Sequence, residues 1–188
     1  MTRTVAALAG RRVDAPHSAA ARFPVSNIPL VRRRILEQFE RLAVQALVCS
    51  AACGADLLAL DVAGDLGIRR RAVLPSDPSH FRQTSVIDRP GDWGPLFDRI
   101  VTDLQRSSAL ATFRPAGDDA EGYREANARI LDDAEQAGRD LGLEVIAIVV
   151  WDSRSRGEDD LTEAFARDAA QRGHRVVEVS TLATSAEK

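Results

Sequence analysis

Apolar residues fall along this chain in two alternating patterns, short unbroken runs and longer stretches with helical spacing. Thr4 to Ala9 (TVAALA) is an apolar run stopped by Gly10, and Arg11-Arg12-Val13-Asp14 follow as a polar loop; this predicts a first strand and its turn. Residues 14 to 25 hold two prolines and several small residues, which suits a long connection of the kind that lies over a site. After a cap at Ser26, the apolar positions Ile28, Val31, Ile35, Phe39 and Leu42 recur one helical turn apart, with the arginines between them facing outward.

The alternation then repeats. Ala46 to Ser50 predicts a strand and Ala55 to Leu66 a helix, stopped at Gly67, with a third strand over Ile68 to Pro75. A polar segment follows, then a helix from Pro95 to Arg106 with Leu96, Ile100 and Leu104 on one face, and a short strand over Ala109 to Phe113. Tyr123 to Gly138 reads as a helix. Val145 to Val150 (VIAIVV) is apolar throughout, which marks the centre of a parallel sheet. Leu161 to Gln171 and Arg175 to Val179 supply a last helix and strand, and TLATSAEK a frayed end. The fold class is therefore α/β, a three-layer α/β/α Rossmann-like sandwich with about six mostly parallel strands. One domain is expected over residues 1–182, with a disordered tail over 183–188.

Composition narrows the function classes. At 188 residues, 45% apolar and 28% charged, the chain suits one core burying roughly 70% of its unfolded surface. No apolar run approaches the roughly 20 residues of a membrane span, and the start carries no signal-type cleavage site, so a cytoplasmic protein without a membrane partner is expected. The net charge of −3 argues against a nucleic-acid surface, and the runs Arg32-Arg33-Arg34 and Arg69-Arg70-Arg71 read as solvated faces. Cys49 and Cys53 read as packed thiols, and the three histidines, His17, His80 and His174, are too scattered for a metal site. Neither a metal nor a cofactor is expected.

The candidate chemistry lies where strands end. In sheets of this kind ligands collect beyond the carboxyl ends of the strands. SAACGADLLAL, Ser50 to Leu60, passes from strand to helix through small residues and one glycine, so uncrowded N–H groups and the helix dipole make an anion-holding turn at Ser50, Gly54, Ala55 and Asp56. The competing reading is a tight turn capped by its own side chains. Arg22 and Arg82 are lone cations on long loops, suited to a forked phosphate contact or to pairing with a neighbouring carboxylate. Trp93 reads as a plug closing its loop, Tyr123 and Asn127 as helix packing, and Asp152 as equally suited to a ribose hydroxyl and to a structural bond.

Those segments together carry a resemblance. GRRVDAP with RFP, SAACGADLLAL, LPSDPSHFRQTSVIDRPGDW, GYREAN and IAIVVWD resemble the bacterial standalone branch of the SLOG superfamily, named for DNA-processing protein A and the Lonely Guy phosphoribohydrolases. The similarity runs from about Val5 to Val179. It implies a Rossmann-like domain binding a nucleotide or nucleotide-derived sugar at the strand ends, with Gly10, Arg12 and Asp14 in a first block and Ser50, Gly54 and Asp56 in a phosphate-facing turn. Two positions depart from the pattern. Arg11 stands where the family has histidine. In WDSRSRGEDDLTEAF, Thr162 keeps its place while Asp160 and Leu161 stand where the family has the glycines of a phosphate-binding loop.

The resemblance implies further that the catalytic glutamate of the phosphoribohydrolases would fall three residues after Thr162, where this chain has Phe165. No catalytic residue is assigned. The expectation is a binding or sensing module for a nucleotide-derived ligand of the ADP-ribose, NAD-related or cyclic nucleotide class, working through a second copy or a signalling partner. The alternatives are an N-glycosidic hydrolase of nucleoside monophosphates, drawing a carboxylate from Asp159, Asp160 or Glu163, and an interaction scaffold with a decayed pocket. Any phosphate is expected at the Ser50 to Asp56 turn, with Arg12, Arg22 or Arg82 as its cation, and away from Asp160-Leu161, whose acids would repel it.

Overall fold

A computed structural model of the chain describes residues 2–117 and 119–184. Six strands form one sheet: β1 (Thr4–Gly10), β2 (Val44–Cys49), β3 (Arg69–Leu74), β4 (Leu110–Thr112), β5 (Glu144–Trp151) and β6 (Arg175–Ser180). The order is β4-β3-β2-β1-β5-β6 and all pairings are parallel. The chain works outward from β1 to β4, then crosses back to lay β5 on the other side of β1. Strand order therefore reverses between β1 and β5, where Leu8 pairs with Ile148 and Gly10 with Val150. Crossovers leave such a point open beyond the strands, and it is where α/β sheets hold ligands.

Six helices cover the two faces: α1 (Ile28–Arg41), α2 (Ala55–Asp65), α3 (Pro78–Ser85), α4 (Trp93–Arg106), α5 (Asp119–Leu141) and α6 (Leu161–Gln171). On one face α1, α2 and α4 pack Val31, Ile35, Phe39, Leu57, Leu60 and Ile100 against Leu8, Leu47 and Ile148. On the other, α5 and α6 bring Ile130, Leu131, Ala134 and Phe165 onto Val5, Ala7, Val48 and Val149. Alternate residues of β1 thus serve opposite layers, as the pleat requires. Helix α2 is buried along most of its length because it is apolar on nearly every side.

The boundaries differ from the sequence expectation where caps decide. Helix α1 follows a single 3₁₀ turn, Val25–Asn27, so Asn27 rather than Ser26 precedes it. Helix α3 lies inside the segment expected to be polar loop: Pro78 opens it, and the Asp77 carboxylate accepts from the His80 N–H at 3.0 Å. Its apolar anchor is essentially Phe81, too little to give a periodic signal. At the carboxyl end, Thr181 is buried, its N–H donating to the Trp151 carbonyl at 3.0 Å and its carbonyl accepting from Asn27 Nδ2 at 2.9 Å. Of the expected tail, residues 185–188 lie outside the described residues.

Candidate functional site

Two adjacent cavities open at the carboxyl ends of β1, β2 and β5. The inner one, about 180 Å³, has apolar walls from Leu8, Phe81, Ala126 and Ile130 and a polar floor from Ser50 and Asp56. The outer one, about 450 Å³, is lined by Arg12, Asp14, Arg22, Arg89, Arg156 and Asp160 among others. Gly10, Arg12, Leu161 and Thr162 line both.

The inner cavity holds unspent hydrogen-bonding capacity. Asp56 is 6% exposed; its Oδ2 accepts from the Ala52 N–H at 3.2 Å, while Oδ1 has no partner. Ser50 Oγ and Arg12 Nε are likewise buried without partners, and both residues line the same cavity. Buried polar atoms are normally satisfied, so three orphans around one space are unusual. Burial pushes the Asp56 carboxyl up to about 7, against the smaller opposing pull of the Ala52 N–H and the Arg12 charge. Across the cavity the Tyr123 and Ser85 hydroxyls bond each other at 2.6 Å, and Asn127 Nδ2 donates to the Leu161 carbonyl at 2.9 Å, fixing the wall contributed by α3 and α5.

The end of β1 explains why Gly10 is glycine. A Cβ there would lie 2.4 Å from the Ala55 Cβ and 2.8 Å from the Val150 carbonyl, so β1, α2 and β5 converge around a bare α-carbon. Gly54 has φ +96°, and a Cβ on it would meet the Arg11 carbonyl at 2.7 Å. The Ala55 N–H donates to that carbonyl at 3.1 Å, and the Cys53 N–H donates to the Ser85 carbonyl at 3.0 Å. The strand-to-helix turn is therefore covered by the chain's own backbone at Arg11 to Val13. What it presents to the cavity is the side chains of Ser50 and Asp56.

Beyond β5 a charged network fills the switch point. The Arg11 guanidinium forks onto Asp160, Nη1 to Oδ1 at 2.7 Å and Nη2 to Oδ2 at 2.6 Å, and its Nε donates to Asp152 Oδ1 at 3.2 Å. The other Asp152 oxygen accepts from Arg22 Nη1 at 3.1 Å. The same Asp160 carboxylate accepts from the N–H groups of Thr162 at 3.0 Å, Glu163 at 3.2 Å and Arg156 at 2.8 Å. Arg11 also lies 5.6 Å from the Trp151 ring centroid. Burial works against both charges, but the fork and the amides win: the Arg11 pKa is raised and that of Asp160 lowered. The amides opening α6 are thus spent on an internal carboxylate. This amends the reason given for excluding phosphate there, since Asp160 is a neutralised cap rather than a bare repelling charge.

The other expected site residues are dispersed. Asp14 accepts from the backbone N–H groups of Arg22, at 3.0 Å, and Phe23, at 3.1 Å, pinning the long loop over the outer cavity. Arg12 donates to the Thr84 carbonyl at 3.2 Å and pairs with Asp88. Arg82 is drawn away from both cavities and forks onto Asp98 of α4 at 2.8 and 3.0 Å. Gly54, Ala55 and Asp152 stand behind the cavity walls. Trp93 is buried and donates Nε1 to the Pro90 carbonyl at 2.9 Å, closing its own loop. The thiols of Cys49 and Cys53 are buried and pushed up, Cys53 to about 11. Among the described residues no group of His, Cys, Asp or Glu is arranged to hold a metal ion, and no helix is long and apolar enough to cross a membrane.

Arg11, Arg156 and the α3 residues Phe81 and Ser85 were not among the expected site residues. The partner of Arg11 lies 149 positions away, beyond any spacing argument.

Comparison with protein-family profiles gives no match, and comparison with curated proteins gives none. Among solved structures, DNA processing protein A from Streptococcus pneumoniae is similar at TM-score 0.41 and 15% identity, over 95% of this chain and 59% of that one. The carboxyl transferase domain of Rhizobium etli pyruvate carboxylase with 3-bromopyruvate is similar at TM-score 0.26 and 11% identity, over 84% of this chain and 24% of that one. The chain spans less than two thirds of either protein. Likenesses at this level carry no argument about what the chain binds. The class that fold and cavity define is a six-stranded parallel Rossmann-like α/β/α domain with its crevice at the strand-order reversal.

Proposed function

We propose that this protein binds a nucleotide-derived small molecule at the carboxyl ends of β1 and β2, with its nucleoside portion in the inner cavity. The carrying observation is that Asp56, Ser50 and Arg12, each with a buried polar atom left unpartnered, line one cavity with apolar walls. A flat base or a sugar suits such walls, and its hydroxyl or amine donors suit an accepting carboxylate and hydroxyl. The resemblance to SLOG domains points to the same ligand class and the same end of the sheet. The ADP-ribose, NAD-related and cyclic nucleotide classes are all compatible with this chemistry, and binding coupled to a partner or a second copy is the role proposed for it.

The hydrolase alternative is supported less, because each acid it would draw on already has a partner. Asp160 is locked to Arg11, Glu163 is bonded by the Ser155 hydroxyl, and Asp159 is exposed and pairs with Arg124 at 3.0 Å. A scaffold with a decayed pocket would be expected to have filled the cavity or satisfied its polar atoms.

Calorimetry and thermal shift with AMP, ADP-ribose, NAD and 3′,5′-cyclic AMP test the proposal. At least one is expected to bind and stabilise, with Ser50→Ala and Asp56→Asn weakening it. Absence of binding by all four would overturn the reading.

A further inference from the structure

Deepening that reading, and resting on it for the nucleoside end only, the geometry points to a phosphate or pyrophosphate subsite in the outer cavity, held by the side chains of Arg156 and Arg22. The usual anion seats of such a fold are closed here. Backbone at Arg11 to Val13 covers Gly54, and the opening amides of α6 go to Asp160. A ligand reaching from the inner cavity past the shared residues Gly10, Arg12 and Thr162 therefore places its charged group among side chains rather than at a helix start.

Those side chains keep unused guanidinium donors. Arg11 is spent on buried carboxylates, and Arg12 and Arg89 share Asp88, with Arg89 at 3.5 Å. Arg22 gives Nη1 to Asp152 and to the Arg154 carbonyl, at 3.1 and 2.7 Å, leaving the rest of its fork free for another acceptor. The Arg156 guanidinium lines the same cavity and has no hydrogen-bond or ion-pair partner among the described residues. Its pKa is lowered, first by burial against the cavity wall and then by the Arg11 and Arg22 charges, whose effect is opposed by Asp160 and Asp152. None of the lining acids pairs with it directly: Asp14 accepts from two backbone amides, Asp160 from Arg11 and Asp159 from Arg124. A planar guanidinium crowded by like charges is relieved by an anion, and phosphate oxygens match its paired donors. The ligand is thereby a phosphorylated one, oriented with its uncharged end toward Asp56 and its phosphate toward solvent.

Sodium pyrophosphate titration, followed by thermal shift and calorimetry at fixed ionic strength, tests the subsite without any nucleotide. Pyrophosphate is expected to stabilise the wild type, and Arg156→Ala, a loop change that breaks no internal bond of that side chain, to weaken its binding about tenfold. Arg156→Lys should recover part of the loss, and Arg82→Ala should have no effect. Rising sodium chloride should weaken the binding. If pyrophosphate does not bind, or binds the Arg156→Ala and Arg156→Glu variants as tightly as wild type, the subsite is wrong. Adenosine and AMP, compared on the same proteins, keep the two proposals apart. If the two bind equally, the nucleoside reading survives and the subsite falls; pyrophosphate binding without adenosine or AMP has the opposite meaning.

Discussion

The guanidinium of Arg11 and the carboxylate of Asp160 meet in a buried fork, 2.7 and 2.6 Å, although 149 positions separate them. The same carboxylate accepts from the amides that open α6, so the arginine beside Gly10 neutralises the cap of that helix. The pair forms an internal strut between the ends of β1 and β5.

The strut predicts strong coupling in stability. Removing one member leaves a buried charge without its main partner, a loss of about 3–5 kcal/mol, whereas removing both charges together is far less damaging. Urea unfolding of Arg11→Met, Asp160→Asn and the double variant should show the double more stable than the sum of the two losses by about 1–3 kcal/mol. Additive losses would mean the fork contributes no coupling.

Restoring glycines is not expected to restore a phosphate loop. Asp160→Gly with Leu161→Gly removes the carboxylate that accepts from the Thr162, Glu163 and Arg156 amides and strands Arg11 beside Asp152. Losing the cap alone costs about 1 kcal/mol, and the orphaned arginine adds to it. The variant should melt well below the wild type. A variant as stable as wild type with tighter nucleotide binding would favour simple charge repulsion instead.

The layers were legible because they rest on periodicity: VIAIVV is apolar on both faces and forms a strand covered on both, and the α1 stripe Val31, Ile35, Phe39 is buried as spaced. The strand order was not, and VIAIVV lies between β1 and the edge strand β6 rather than at the sheet centre. Helix α3 was hidden because one Phe and one Asp cap hold it, below what periodicity detects. Ser50, Asp56, Arg12 and Thr162 could be placed at the cavity because they sit at strand ends or helix starts. The purpose of Arg11 and Asp160 could not, since a buried ion pair leaves no local pattern when its partners are far apart in sequence. Arg82 was misplaced for a related reason: its carboxylate, Asp98, lies on the next helix and draws it away.

Gly54 gives a prediction about packing rather than ligand contact. With φ +96° and the Arg11 carbonyl 2.7 Å from where a Cβ would be, Gly54→Ala must both strain the backbone and push the β1 loop outward. A loss of about 1–3 kcal/mol is expected by denaturation, with Gly54→Glu worse. Loss of nucleotide binding in either variant is then a consequence of that displacement. An unperturbed melting curve for Gly54→Ala would show that the turn is not clamped as described.

Asp56 predicts the pH dependence that most directly reports the inner cavity. Burial raises its carboxyl from an ordinary 3.8 to about 7, so between those values the folded state holds a proton that the unfolded chain has released. Stability is governed by the difference in protons bound, unfolded minus folded, which is negative in this window. Asp56 therefore lowers stability progressively as pH rises from about 4 to about 7, and the penalty is complete above the folded value. Asparagine keeps the acceptor for the Ala52 amide and carries no charge. Asp56→Asn should match wild type in melting temperature near pH 4, exceed it increasingly through pH 6, and hold a constant advantage above about pH 8. The more stable variant should nevertheless bind nucleotide more weakly, because replacing one carboxylate oxygen by an amide nitrogen removes an acceptor from the cavity lining. A melting difference that does not vary with pH would place Asp56 in water rather than in a closed cavity.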